Sequence, residues 1–213
     1  KELLNQARRA DKERDYEACL RAAEEGLTLN SGHTELQRLQ SRSRQRLEQM
    51  RRMAQLLQDA RAEIEAQNYA AALKALDSAL QLDGSNTEAA QLKQKAQEAW
   101  ERQKRLEGLL NNAQRQLKAG QFEACLESAG QGLALEAGHA LFKELTVEAK
   151  RQLELRRQIG EGLKRAAQHL AKKEYQPAVE AYDSVLKLAP GQAEATEGRQ
   201  RAQQALQRQQ RLE

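Results

Sequence analysis

Apolar residues recur along this chain at three-to-four-residue spacing. The run 64 to 82, Ile-Glu-Ala-Gln-Asn-Tyr-Ala-Ala-Ala-Leu-Lys-Ala-Leu-Asp-Ser-Ala-Leu-Gln-Leu, shows the plan most clearly. It predicts the end of one amphipathic helix, a tight turn at Gln67-Asn68, and a second helix entered at Tyr69. The same plan opens the chain. Leu3, Leu4 and Ala7 lead to a turn near Arg14-Asp15. A helix from Tyr16 then carries Cys19, Leu20, Ala23, Leu27 and Leu29 on one side, until Asn30-Ser31-Gly32 stops it. From Thr34, read as the cap of the next helix with Glu35 in its first turn, nothing breaks the pattern before Asn68. Leu36, Leu39, Leu47, Met50, Met53, Leu57, Ala60 and Ile64 fall close to a 3.5-residue period, with Ser43 a polar miss. One helix of about 34 residues, about 50 Å long at 1.5 Å per residue, is predicted to serve two packing units at once.

Two further long helices follow, over about 87–119 and about 140–173, and a last one over about 193–213. The breaks between them are Asp83-Gly84-Ser85-Asn86, Ala137-Gly138 and Pro190-Gly191. Gly108 is a weak point inside the second long helix. Gly160 and Gly162 mark the third as the place to expect a bend, each costing up to about 1 kcal/mol relative to Ala. The aromatic after each turn is Tyr16, Tyr69, Phe122 and Tyr175, and the gaps 69−16, 122−69 and 175−122 are all 53. Four such units fill the chain, about 1–53, 54–106, 107–159 and 160–213, as one repeat array. A longer period lies over this one. Repeats one and three share Glu-Ala-Cys-Leu, and repeats two and four share Asp77-Ser78 with Asp183-Ser184, so a 106-residue pair has been duplicated.

These positions resemble tetratricopeptide repeats. The small residue of the first helix is Ala7, Ala60, Ala113 and Ala166; the aromatic follows. The next small residues are Cys19, Ala72, Cys125 and Ala178, then Gly26, Ala79, Gly132 and Val185. Small residues belong where helix axes approach to about 8–10 Å. The usual terminal Pro survives only as Pro190, and the unit is 53 residues where the family's is 34; the excess sits in the long helices. The resemblance implies an all-α, TPR-like α-solenoid of four helical-hairpin repeats joined by long shared helices. It also implies a non-catalytic protein-binding scaffold. Such repeats are frequent in bacterial multidomain proteins. Lys1 already lies inside a helical pattern and is not a Met, which predicts a fragment of a larger protein.

Composition adds limits. Charged residues make up 31% and aromatics 3%, with 35 basic side chains against 31 acidic. That is a mixed surface with thin Leu/Ala cores. No apolar run approaches the ~20 residues of a membrane span. Cys19 and Cys125 occupy one repeat position, too far apart in an array to pair, and read as small buried thiols; reduced cysteines fit a cytoplasmic chain. Trp100 reads as a plug in the second long helix. His33, His139 and His169 do not cluster, and the first and second of these read as turn or cap residues. No zinc spacing, phosphate loop or nucleophile elbow occurs, so no catalytic residue, metal ligand or cofactor is assigned.

The reading is therefore a scaffold that holds a peptide or partner protein on polar positions of the first helix of each unit: Asn5, Arg8, Gln58, Arg61, Asn111, Gln114 and Lys164. A spacer or self-association module is the alternative. Nucleic-acid binding through residues 38–52, with Arg38, Arg42, Arg44, Arg46, Arg51 and Arg52 against Glu48, is weaker, because no aromatics stand among the arginines.

Overall fold

The computed structural model describes residues 1–212, and among them the chain is helix and turn throughout. Nine helices follow in order: α1 Glu2–Glu13, α2 Tyr16–Leu29, α3 Thr34–Glu65, α4 Tyr69–Leu82, α5 Thr87–Lys118, α6 Phe122–Leu135, α7 Ala140–Ala171, α8 Tyr175–Leu188 and α9 Ala193–Leu212. The long helices α3, α5 and α7 each have 32 residues, and the short α2, α4, α6 and α8 each have 14. The expected extension of the last helix to Glu213 lies outside the described residues. Packing divides the chain into two compact units, Lys1–Gln103 and Lys104–Glu213. Each holds two repeats, and the division falls inside α5.

The turn that closes each hairpin is the same four times. Arg14, Gln67 and Lys173 take the left-handed conformation with φ of 59°, 58° and 65°, and Gly120 takes it at 72°. The following amide then reaches back five residues: Asp15 N–H to Ala10 O at 2.9 Å, Asn68 to Glu63 at 2.8 Å, Gln121 to Gln116 at 2.9 Å and Glu174 to His169 at 2.9 Å. This is a Schellman closure, which satisfies carbonyls that the helix end would orphan. Asp15 then caps α2 by accepting from the Ala18 N–H at 2.9 Å. At the start of α3 the cap is His33, whose Nδ1 accepts from the Leu36 N–H at 3.4 Å. Thr34, expected to cap, is instead the first helical residue, because His33 holds the extended backbone that a cap needs.

Each repeat closes its own small core from three helices. In the first unit, Ala7, Cys19, Ala23, Leu36 and Leu39 join α1, α2 and the start of α3. Leu57, Ala60, Leu76, Ala79, Ala89 and Ala96 join the end of α3, α4 and the start of α5. In the second unit, Ala113, Cys125, Ala129, Phe142 and Ala149 form the third core, and Ala166, Tyr182, Val185 and Ala195 the fourth. Volume is traded across one contact. Gly26 faces Leu36 and Gly132 faces Phe142; the matched positions hold Ala79 with Ala89 in the second core and Val185 with Ala195 in the fourth. A Cβ on Gly26 would sit 2.6 Å from Leu36 Cδ1, and one on Gly132 would overlap the Phe142 ring.

The same trade corrects the reading of α7, which runs unbroken through Gly160 and Gly162. Gly162 is buried against Val185, where a Cβ would come within 2.5 Å of Cγ2. It is a socket and not a hinge. Gly198 receives the ring of Tyr182 in the same way.

Candidate partner-binding surface

The seven polar residues read from the sequence stand on the first helices as expected. In the first unit, Asn5, Arg8, Gln58 and Arg61 are exposed; in the second, Asn111 and Lys164 are exposed and Gln114 is half-buried. Among the described residues, no hydrogen bond or ion pair within either unit joins one of the seven to another. The two arginines are already engaged. Arg8 grips Glu35 with both arms of its fork, Nε to Oε1 at 2.7 Å and Nη2 to Oε2 at 2.5 Å. One repeat later, Arg61 pairs with Glu88. Arg8 holds the Glu35 carboxyl below the usual carboxylate range. Each pair ties a repeat's first helix to the opening turn of its third. A partner would have to compete with these glutamates or add to them.

The basic segment is likewise partly committed. Arg42 pairs with Asp11 at 2.9 Å, and Arg44 with Glu24 at 2.7 Å. Among the described residues no cluster of His, Cys, Asp and Glu could hold a metal, and no helix is long and apolar enough to cross a membrane. Both cysteines are free and buried, and burial pushes the Cys125 thiol up, away from the reactive thiolate. Trp100 is half-buried.

A second surface was not read from the sequence. Between Ser43, the last residue α3 buries in the first core, and Leu57, the first it buries in the second, lies a stretch of 57−43−1 = 13 residues that contributes no buried side chain. That is about 20 Å of helix. A groove of about 650 Å³ opens there, walled by the α1–α2 turn on one side and the end of α4 on the other. Tyr16, Met50, Met53, Leu57 and Leu82 give it an apolar floor, and Arg14, Arg46 and Asp83 stand at its rim. Met50 is 57% exposed and Leu82 37%. Asp83 turns into its own loop, accepting from the Ser85 N–H at 2.9 Å and hydroxyl at 2.6 Å. Those bonds hold its carboxyl below its ordinary value. Arg46 donates to Gln49 Oε1 at 3.2 Å, and among the described residues neither Arg46 nor Arg14 has an ion pair.

The equivalent place in repeat three is filled. Arg156, at 50+106, lies with its guanidinium 5.1 Å from the centroid of Phe122, at 16+106. It also donates to the Gly120 carbonyl at 3.3 Å. In repeat four the place is an open recess of about 580 Å³, beside Tyr175, with Lys173, Arg201 and Arg208 around it.

No family model matches the chain, and no curated relative matches it either. Among solved structures, the chain aligns over 98% of its length with the TPR domain of P58(IPK), at 17% identity and a TM-score of 0.24, and spans 66% of that chain, just under two thirds of it. A likeness so distant adds nothing to the geometry. The TPR-like character rests on the hairpins themselves: small residues at the helix contacts, an aromatic after each turn, and one 53-residue plan repeated four times.

Proposed function

We propose that this chain is a non-catalytic scaffold that binds a peptide or partner protein along its helical array. The observation that carries this reading is the uncovered middle of α3. Elsewhere that helix commits its apolar residues to one of two cores, yet here Met50 faces solvent in a groove large enough for side chains of another molecule, with Met53 and Leu57 at the edge of the second core beneath it. Stacked hairpins suit such a role because each repeat offers its partner a rigid helix face. The free, buried cysteines agree with a cytoplasmic setting. Binding of nucleic acid through residues 38–52 is the poorer reading, since Arg42 and Arg44 already have carboxylate partners.

The test is a selection of displayed proteome-derived peptides on the immobilised chain, with its helical content checked by circular dichroism. A scaffold of this kind enriches peptides sharing a motif. A folded chain that enriches none overturns the proposal and leaves the spacer reading.

A further inference from the structure

We propose that the α3 groove of the first unit takes an acidic peptide through one large apolar anchor residue, Leu or Phe, flanked on both sides by Asp or Glu. This deepens the scaffold reading and rests on it. It places binding in a groove at the α1–α2 turn, distinct from the polar lining of the first helices.

The anchor follows from the floor. A volume of about 650 Å³ exceeds any single side chain, and its apolar wall includes both methionines of the chain. Unbranched, polarisable thioethers re-pack around differently shaped guests, so Met50 and Met53 suit an anchor whose class matters more than its outline. Tyr16 adds an aromatic edge at one end, and Leu82 closes the other.

The charge follows from the rim. Arg14 and Arg46 carry two positive charges there. Among the described residues neither meets a carboxylate, whereas Arg8, Arg42 and Arg44 on the same unit all do. The one acid of the rim, Asp83, spends its Oδ1 on Ser85. The groove is thus net positive around an apolar floor, and its complement is an apolar side chain between carboxylates. The left-handed turn at Arg14 projects that side chain from a fixed corner of backbone, with φ 59°. The third repeat shows what closure of this place looks like. There a guanidinium from the long helix covers the aromatic. At the same register repeat one has Met50, which cannot supply that cover.

The experiment uses the whole chain and a fluorescein-labelled peptide, Glu-Asp-Glu-Leu-Asp-Glu, followed by fluorescence polarisation. Two controls replace the central Leu by Ala, or all acids by Lys. The variants are Arg46→Glu, which reverses the rim charge, and Met50→Arg, which copies the closed third repeat. Both positions are exposed, so circular dichroism should not change. We expect saturable binding of the acidic Leu peptide, weakened about tenfold or more by Arg46→Glu and abolished by Met50→Arg, with neither control bound. Equal binding of the Lys peptide, or binding that survives Met50→Arg, overturns the proposal. Met50-dependent dimerisation of the chain alone in sedimentation also overturns it, by seating a second copy in the groove. If display yields peptides whose binding ignores Met50→Arg, the groove assignment falls and the scaffold reading stands. If display yields none, both fall.

Discussion

Repeats one and three share Glu-Ala-Cys-Leu, at 17–20 and 123–126, and four of the matched places where they differ bear on the core and the outer groove. Leu36 fills the space over Gly26 where Phe142 fills it over Gly132. Ser43 stands where repeat three has Ala149, Arg14 where it has Gly120, and Met50 where it has Arg156. The backbone plan is indifferent to all four, since the short helices have the same length and the turns the same handedness. Differences at the first two places alter how well each core is filled. Differences at the last two alter what the outer groove presents. Core filling and the character of the outer groove are therefore set at separate positions of one repeat, and under the proposed reading stability and recognition can be changed independently.

The largest effect should come from the filled socket. Phe142 is fully buried, and Phe142→Ala should cost about 3–5 kcal/mol in urea unfolding of the chain. Phe142→Leu rebuilds the Gly–Leu pair of repeat one and should cost clearly less than Phe142→Ala, since it leaves a smaller void. The double change Gly132→Ala with Phe142→Ala rebuilds the Ala–Ala pair of repeat two, and should be milder than Phe142→Ala alone. Equal losses from the Leu and Ala variants would break the idea that these pairs are interchangeable.

Local features of this fold are legible in the sequence, and pairings between helices are not. Tyr16, Tyr69, Phe122 and Tyr175 set the period, and the breaks between them set the helices, because local turn chemistry and apolar spacing act within a few residues. Pair complementarity was not legible. Gly162 looks like a helix defect until Val185 is seen above it, since sequence spacing does not say which residue of another helix arrives. The groove was hidden for a related reason. Met50 fits the 3.5-residue period of α3 and so read as part of its seam. Periodicity tells which face a residue is on and leaves open whether anything covers that face at that height. Arg8 and Arg61 are exposed polar positions of their helices, but their glutamate partners lie 27 residues away.

Repeats one and three also differ at the matched pair Ser43 and Ala149. Ser43 is fully buried, and its hydroxyl has no hydrogen-bond partner. The matching residues Ala96, Ala149 and Ala202 are all buried alanines. A buried hydroxyl without a partner costs about 1–3 kcal/mol. Ser43→Ala should therefore stabilise the first unit by about 1 kcal/mol, and Ala149→Ser should destabilise the second by about as much, both read from urea midpoints at unchanged slope. If Ser43→Ala is neutral or harmful, the hydroxyl has a partner in solution and the two cores differ less than their residues imply.

The smallest effect lies at the turns. Gly120 and Arg14 share the left-handed conformation, at φ 72° and 59°. For a residue with a Cβ that conformation costs about 1–2 kcal/mol, while a glycine loses about 0.5–1 kcal/mol more entropy on folding. The two terms oppose each other, so Gly120→Arg should destabilise by about 1 kcal/mol or less. The change should be local. The amide of Gln121, which reaches back to Gln116 O at 2.9 Å, should exchange its hydrogen faster, while amides in the middle of α6 keep their protection. Asp15, closing the same loop onto Ala10 O at 2.9 Å behind an arginine, is the built-in reference: its wild-type protection should already match that of Gln121 in the variant. If Gln121 exchanges no faster, the turn is held by the packing of the two helices around it, and the identity of its left-handed residue carries no energy.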